Sequence, residues 1–231
     1  MDKPKWPSCL TIIRHGQSTQ NAALDLLDDN IEEALRKQKE IRDMDIPLTA
    51  AGIWQARQTG LFLIGERPFD VCFSSPYVRA LQTAWRIKGV LYYEVPVYKD
   101  NRLREKEFGR LHGLTKEEIK SKYPEEVSDR ERDGKYWYRL PRGENYPDVE
   151  SRVHSFLDKL VRDYAEKRVL VVTHQVPYLM FRSLFEHLDE QGVLSLGDVP
   201  NCGIQEYQLD ASEESEGRMK LKRYNFIAYE R

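Results

Sequence analysis

A chain of 231 residues, 40% hydrophobic and 32% charged, has the composition of a folded globule and not of a disordered or fibrous chain. With 36 Lys+Arg against 38 Asp+Glu the formal net charge is -2, which excludes a polybasic nucleic-acid footprint and any strongly charged tail. Cys9, Cys72 and Cys202 are odd in number and form no CxxC pair, so neither a disulfide framework nor a thiolate zinc site is expected.

The N-terminal MDKPKWPSC has no long apolar core behind its lysines, and no apolar run approaches the ~20 residues of a membrane span. A cytoplasmic protein with no membrane attachment is expected. Leu10 to Ile13 is a short β-rich run without alternation, the pattern of a strand covered on both faces. Asn21 to Met44 is charged, with Leu24, Leu27, Ile31 and Leu35 at helical spacing, and reads as a solvated helical insertion at about 22–45. Thr49 caps a predicted helix to Ile64 whose apolar positions are Ile53, Ala56, Leu61 and Ile64.

Val71 to Ser75 is a weaker strand, followed by Ser75 as a helix cap with Pro76 at the first helical position. Asp148 to Glu166 is the strongest amphipathic pattern, with Val149, Val153, Phe156, Leu157, Leu160, Val161 and Tyr164 on one face. Val169 to Thr173 is the clearest strand, and Pro177 opens an apolar helix behind it. Gly203 to Leu209 and Met219 to Ala228 read as an antiparallel pair joined by the charged turn Ser212 to Gly217. No internal repeat or linker divides the chain. The expected architecture is a single α/β domain over 1–231: a three-layer, doubly wound, mostly parallel sheet with helices on both faces and an antiparallel edge.

In doubly wound folds ligands collect outside the carboxyl ends of the strands. Arg14 and His15 stand at one such end, where Gly16 allows a sharp turn or a close backbone approach. Ser18 and Asn21 supply polar groups where a helix could begin, and a helix N-terminus offers free amide donors to an anion. Arg79 falls in the first turn of a helix, where the dipole disfavours a cation unless an anion compensates. A salt bridge to one of the chain's carboxylates would also account for it. His174 repeats the placement of His15 at the end of a second strand. Two arginines and two histidines converging in this way suit a phosphoryl group, whose oxygens match guanidinium forks. In the charged loop Leu103 to Ile119, Glu105 is the candidate acid and Glu107 its competitor.

With these residues assembled, the chain resembles the histidine phosphatase superfamily, which includes cofactor-dependent phosphoglycerate mutases and small-molecule phosphatases. RHGQSTQN, IPLTAAGIWQAR, SSPYVRALQTA, LREKEFGRLHG and VVTHQ match the family's segments in order, across about Leu10 to Gln175. The resemblance implies that His15 is a nucleophile forming a phosphohistidine. Arg14, Arg79 and His174 would hold the transferring oxygens, and Glu105 would protonate the leaving alcohol and later activate water. Ser18, Asn21 and Gln175 carry over as phosphate or substrate contacts, with no metal and no cofactor. Arg14 and Arg79 are expected to lower the pKa of His15 by repulsion, and a backbone carbonyl to fix its tautomer.

Lys116, Arg130 and Arg132 fall near basic positions that mutases use for substrate. The chain nevertheless lacks the mutases' long additional loop before PRGENYPDVESRV, which resembles the phosphatase branch. Hydrolysis of a small phosphorylated metabolite is therefore preferred over mutase activity, with a catalytically idle phosphate-binding or scaffold protein as a further alternative. A metallohydrolase using His15, His174 and Glu105 is disfavoured by the flanking arginines. Residues 113–147 form a candidate lid. Within them Gly134 to Tyr146 is rich in aromatics, either contacting substrate or anchoring the loop in the core. His112 reads as a supporting or surface residue, and His154 and His187 as helix-surface residues.

Overall fold

The computed structural model describes residues 6–25, 41–210, 212 and 217–229. The central part of the expected insertion, residues 26–40, and most of the turn between the last two strands lie outside the described residues.

Among the described residues, six strands form one sheet in the order β3-β2-β4-β1-β5-β6: β1 is Cys9–Arg14, β2 Val71–Ser74, β3 Val97–Lys99, β4 Arg168–Thr173, β5 Ile204–Leu209 and β6 Met219–Phe226. Strands β1 to β4 are mutually parallel where they pair, while β5 runs antiparallel to β1 and β6 antiparallel to β5. The alternation of side chains along a strand explains why the central runs are apolar throughout. Leu10, Ile12, Val169 and Val171 enter one core, and Ile13, Leu170 and Val172 enter the other.

Helices cover both faces. On the first lie α6, Tyr146–Asp163, and α7, Gln175–Glu186, with Val149, Val153, Phe156, Leu157, Leu160, Met180 and Phe181 buried. On the second lie α2, Ala50–Leu63, and α3, Val78–Lys88. The other helices among the described residues are α1, Thr19–Leu24; α4, Lys116–Lys122; α5, Pro124–Trp137; and α8, Glu190–Ser195.

Several boundaries differ from the sequence reading for identifiable reasons. Helix α6 starts at Tyr146 because Asn145 and Asp148 form a reciprocal capping box, and it ends at Asp163. Helix α3 starts at Val78, not Pro76; Ser75 Oγ accepts the Tyr77 N–H and is committed elsewhere, as described below. The buried face of α2 is Gly52, Ala56, Thr59, Gly60 and Leu63, whereas Leu61 is exposed and Ile53 only half-buried. Small residues win that face because the backbones run close: a Cβ on Gly60 would stand 3.0 Å from Ile87 Cα. Strand β3 escaped the sequence reading because three residues carry too little pattern.

One close approach places the site. A Cβ on Gly16 would lie 2.5 Å from the Gly52 carbonyl oxygen, so the turn after β1 can seat against α2 only with glycine there. The Gly16 N–H also donates to Thr83 Oγ1 of α3 at 3.0 Å. Gly16→Ala is expected to lower the unfolding free energy by about 1–3 kcal/mol, as overpacking does. Gly65→Ala, an exposed position whose added Cβ would meet nothing closer than 3.6 Å, should stay near neutral in the same denaturation experiment.

Candidate active site

Strands β1 and β4 pair in parallel with Arg14 opposite Thr173, and the His15 N–H donates to the Thr173 carbonyl at 2.9 Å. The residues that leave the two strands therefore emerge together. The rings of His15 and His174 meet edge to face with centroids 5.0 Å apart. Both side chains are buried.

His15 Nδ1 lies 2.7 Å from the Gly16 carbonyl oxygen. A carbonyl only accepts, so Nδ1 carries the proton and Nε2 keeps its lone pair. Burial, with Arg79 and then Arg14 adding repulsion, holds His15 well below the usual imidazole range. The repulsion anticipated from the arginines is present, but desolvation is the larger cause.

His174 is also pushed well down, first by burial and then by Arg79 and His15. Its Nε2 is 2.8 Å from Ser75 Oγ, and its buried Nδ1 has no partner among the described residues. With Ser75 Oγ accepting the Tyr77 N–H and giving its own proton to Nε2, the tautomer of His174 that fits a bound anion leaves Nδ1–H as a free donor.

The two arginines differ. Arg14 NH1 donates to the Val199 carbonyl, while its buried Nε is unpaired among the described residues. Arg79 lies near the start of α3 with its side chain 4% exposed, and its NH1 contacts the Asp43 carboxylate at 3.0 Å and the Asp43 carbonyl at 2.6 Å. The anion demanded by that helix position is thus supplied at one edge of the guanidinium by Asp43, from the end of the charged segment that reads as solvated in sequence.

Glu105 accepts backbone N–H bonds from Lys106 at 2.8 Å, Gln175 at 3.0 Å and Val176 at 3.2 Å, which fixes its carboxyl at the start of α7, directly beyond His174. Glu107 instead closes its own turn, accepting from the Gly109 N–H at 3.3 Å. Arg152 holds the main chain of this loop, with bonds to the Arg102 and Glu105 carbonyls, and is itself paired with Glu144. Burial works to raise the Glu144 carboxyl, but hydrogen bonds and charge from Arg152, with the Glu107 N–H and Arg104, hold it below the usual range.

Ser18 and Asn21 stand beside the site and are hydrogen-bonded to each other. Ser18 caps α1 and receives the Asn21 N–H, while Asn21 Oδ1 accepts from Ser18 N and Oγ. Gln175 is tied by its side chain to Asp198 and to the Val199 N–H. Beyond it opens a cleft of about 220 Å3 lined by Lys135, Tyr146, Leu179, Val193 and Asp198. Lys106 is buried above the rings of Phe108 and Tyr146, and burial brings its ammonium down to about 8. In the aromatic segment Tyr136, Tyr138 and Tyr146 are buried and Trp137 is exposed; His154 and His187 are exposed. Among the described residues, no three His, Cys, Asp or Glu side chains converge to hold a metal, and no helix is long and apolar enough to cross a membrane.

Sequence reasoning missed Asp43, the Glu144–Arg152 pair, the Ser75 contact to His174 and Asn201, whose Nδ2 donates to the His15 carbonyl and to Asn21 Oδ1. Each acts through a neighbour far away in sequence. Only the pair left a trace, in the spacing of GENYPDVESR.

The histidine phosphatase superfamily (branch 1) profile matches residues 10–225. The chain belongs to that superfamily, and its relatives are phosphatases and phosphoglycerate mutases, so it is a phosphatase- or mutase-like enzyme of phosphoryl transfer. It is 33% identical over 192 residues to a 2,3-bisphosphoglycerate-dependent phosphoglycerate mutase of Gloeobacter violaceus, covering 80% of this chain and 78% of that protein. It is 36% identical over 170 residues to a 6-phosphofructo-2-kinase/fructose-2,6-bisphosphatase of Caenorhabditis elegans, covering 73% of this chain but only 32% of that longer protein. In fold it is similar to a mycobacterial glucosyl-3-phosphoglycerate phosphatase in complex with VO3, with TM-score 0.71 and 23% identity over 94% of this chain and 98% of that one.

The histidines make stability depend on pH with a definite sign. Unfolded imidazoles bind protons below about 6.5, whereas the folded, buried rings resist them, so the unfolded state binds more protons as the pH falls. Unfolding free energy is expected to decrease below pH ~6.5 by up to about 1.4 kcal/mol per unit for each ring. Urea denaturation at successive pH values should show this fall, and a His15→Gln, His174→Gln variant should show a shallower one.

Proposed function

We propose that the protein is a metal-independent phosphomonoester hydrolase that acts on a small phosphorylated metabolite through a phosphohistidine at His15. The observation that carries this reading is the set of unused groups at one point of the fold. His15 offers a tautomer with Nε2 unprotonated, and Arg14 Nε and His174 Nδ1 are buried without partners among the described residues. Burying such groups unpaired is costly. A bound phosphoryl group would supply the acceptors.

In the first step the His15 Nε2 lone pair attacks phosphorus, the P–O ester bond breaks in line, and Glu105 gives a proton to the departing alkoxide. In the second, Glu105 takes a proton from water, whose oxygen attacks phosphorus; the P–N bond breaks, and inorganic phosphate and neutral His15 are released. Arg14, Arg79 and His174 hold the equatorial oxygens through both steps, and their charge and donors are already in place before the reaction. The anchoring of Glu105 on the Gln175 and Val176 amides supports its role on the leaving-group side. The cleft beyond Gln175 would take the organic part of the substrate. Ser18 and Gln175 then serve the site by shaping its loops, since their polar ends are engaged within the protein, while Asn21, whose Oδ1 is taken up by Ser18 and Asn201, offers its Nδ2 to a phosphate or substrate oxygen.

The mutase is the rival reading, supported by the relationship to phosphoglycerate mutases. Release of inorganic phosphate from a panel of phosphomonoesters, measured beside isomerisation of 3-phosphoglycerate, separates the two; efficient isomerisation with negligible phosphate release would reject hydrolysis. Glu105→Gln should lower kcat/KM, which reports the phosphorylation step alone, by roughly 100- to 10,000-fold for alkyl phosphates, the usual worth of general acid catalysis. The loss should be much smaller for an aryl phosphate whose leaving group needs no proton. Equal losses on both substrates would remove Glu105 from the role of acid.

A further inference from the structure

Arg79 is the charge that acts most strongly on both buried histidines, so its placement matters more than that of any other cation at the site. Its backbone is fixed relative to the nucleophile loop by Thr83, whose Oγ1 donates to the Arg79 carbonyl at 2.8 Å and accepts the Gly16 N–H at 3.0 Å. The guanidinium is a separate matter, because a long side chain at a helix start has many rotamers and a dipole that repels it. Two things confine it: the Tyr77 ring, 5.0 Å from the guanidinium carbon, and Asp43.

We propose that Asp43 is a positioning residue for the phosphoryl-binding arginine, its carboxylate and its own main-chain carbonyl together gripping the NH1 edge of Arg79. The inference rests on the hydrolase reading of the site. Asp43 is built to be rigid. It opens the 3-10 turn Asp43–Asp45, in which the Arg42 side chain bonds Asp45 at 2.6 Å and the Ile46 N–H returns to the Asp43 carbonyl.

The next residues are anchored in the core: Ile46 is fully buried, the Leu48 N–H donates to Gln82 of α3, and the Pro47 carbonyl accepts the Thr19 N–H. A carboxylate carried on such a base holds NH1 from one side. The Nε and NH2 groups of Arg79 have no acceptor among the described residues and are left for substrate oxygens. The charged segment after Asn21 thereby ends in an active-site part.

The test compares wild type with Asp43→Asn, Asp43→Ala and Asp43→Glu, measuring inorganic phosphate binding by calorimetry, kcat and KM on one phosphomonoester, and the thermal midpoint. Removing the carboxylate's ion pair from the clamp, which leaves the main-chain carbonyl bond in place, should weaken phosphate and lower kcat, each on the order of tenfold. Asp43→Glu should restore part of both. Because Asp43 acts through Arg79, Asp43→Ala should add nothing to the defect of Arg79→Ala in the double variant.

Tighter phosphate binding in Asp43→Asn would show that the carboxylate competes with substrate, and would overturn the proposal. So would a lowered thermal midpoint with phosphate binding and kcat unchanged, which marks a purely structural ion pair. Wild type that binds phosphate yet hydrolyses nothing ends the hydrolase reading, while the binding arms still decide the role of Asp43. Wild type that binds no phosphate ends both.

Discussion

The parallel pairing of β1 with β4 is the constraint on which the remaining structure depends. Its register sets Arg14 opposite Thr173 and joins His15 to Thr173 by a main-chain bond, so two histidines 159 positions apart, by their numbers 15 and 174, leave the sheet side by side. A slip of one residue would turn each strand's core side chains to the opposite face. The apolar strands are thus the device that aligns the chemistry, and the helices on both faces fix the register by burying Cys9 to Ile13 and Val169 to Thr173. Thr173 extends the linkage to the loop that carries Glu105, its Oγ1 donating to the Leu103 carbonyl at 2.8 Å.

Around this pair the protein maintains an electrostatic imbalance. Cations and neutral rings are concentrated at the carboxyl edge of the sheet, and the carboxylates that could neutralise them are drawn to their outer sides. Asp43 meets one edge of Arg79, Glu144 is committed to Arg152 and Arg104, and Glu105 faces main-chain amides. What remains at the centre is the free side of His15, with Nε of Arg14 and Nδ1 of His174 unpaired among the described residues. Desolvation keeps both rings neutral, so a nucleophilic nitrogen coexists with the guanidinium groups that attract an anion to it. That combination suits phosphoryl transfer, in which most of the protein's work is positioning and charge stabilisation.

The layers of the fold and the convergence of Arg14, His15, Arg79 and His174 were legible in sequence because they rest on local signals: apolar runs without alternation, a strand end followed by a charged residue, a glycine where backbones meet. The face of α2 was misread because its interior residues are small. Hydrophobic periodicity marks Leu61, whereas the packing requires Gly60. The start of α3 was misread because Ser75 is drawn to His174 across the sheet, a contact 99 residues away in sequence that outweighs local capping preference. Asp43 and Asn201 were invisible for the same reason. Their contribution is a hydrogen bond to a residue that only the tertiary fold brings near, and charge or polarity alone does not mark such a residue in a chain where a third of positions are charged.

The central claim is that a covalent intermediate forms on one named nitrogen. Rapid quenching of the enzyme during turnover of a phosphomonoester, followed by peptide mapping, tests it most directly. The account predicts an acid-labile, alkali-stable phosphate on His15, absent from a folded and inactive His15→Ala variant. Turnover with no phosphorylated His15, or undiminished activity in His15→Ala, would contradict it.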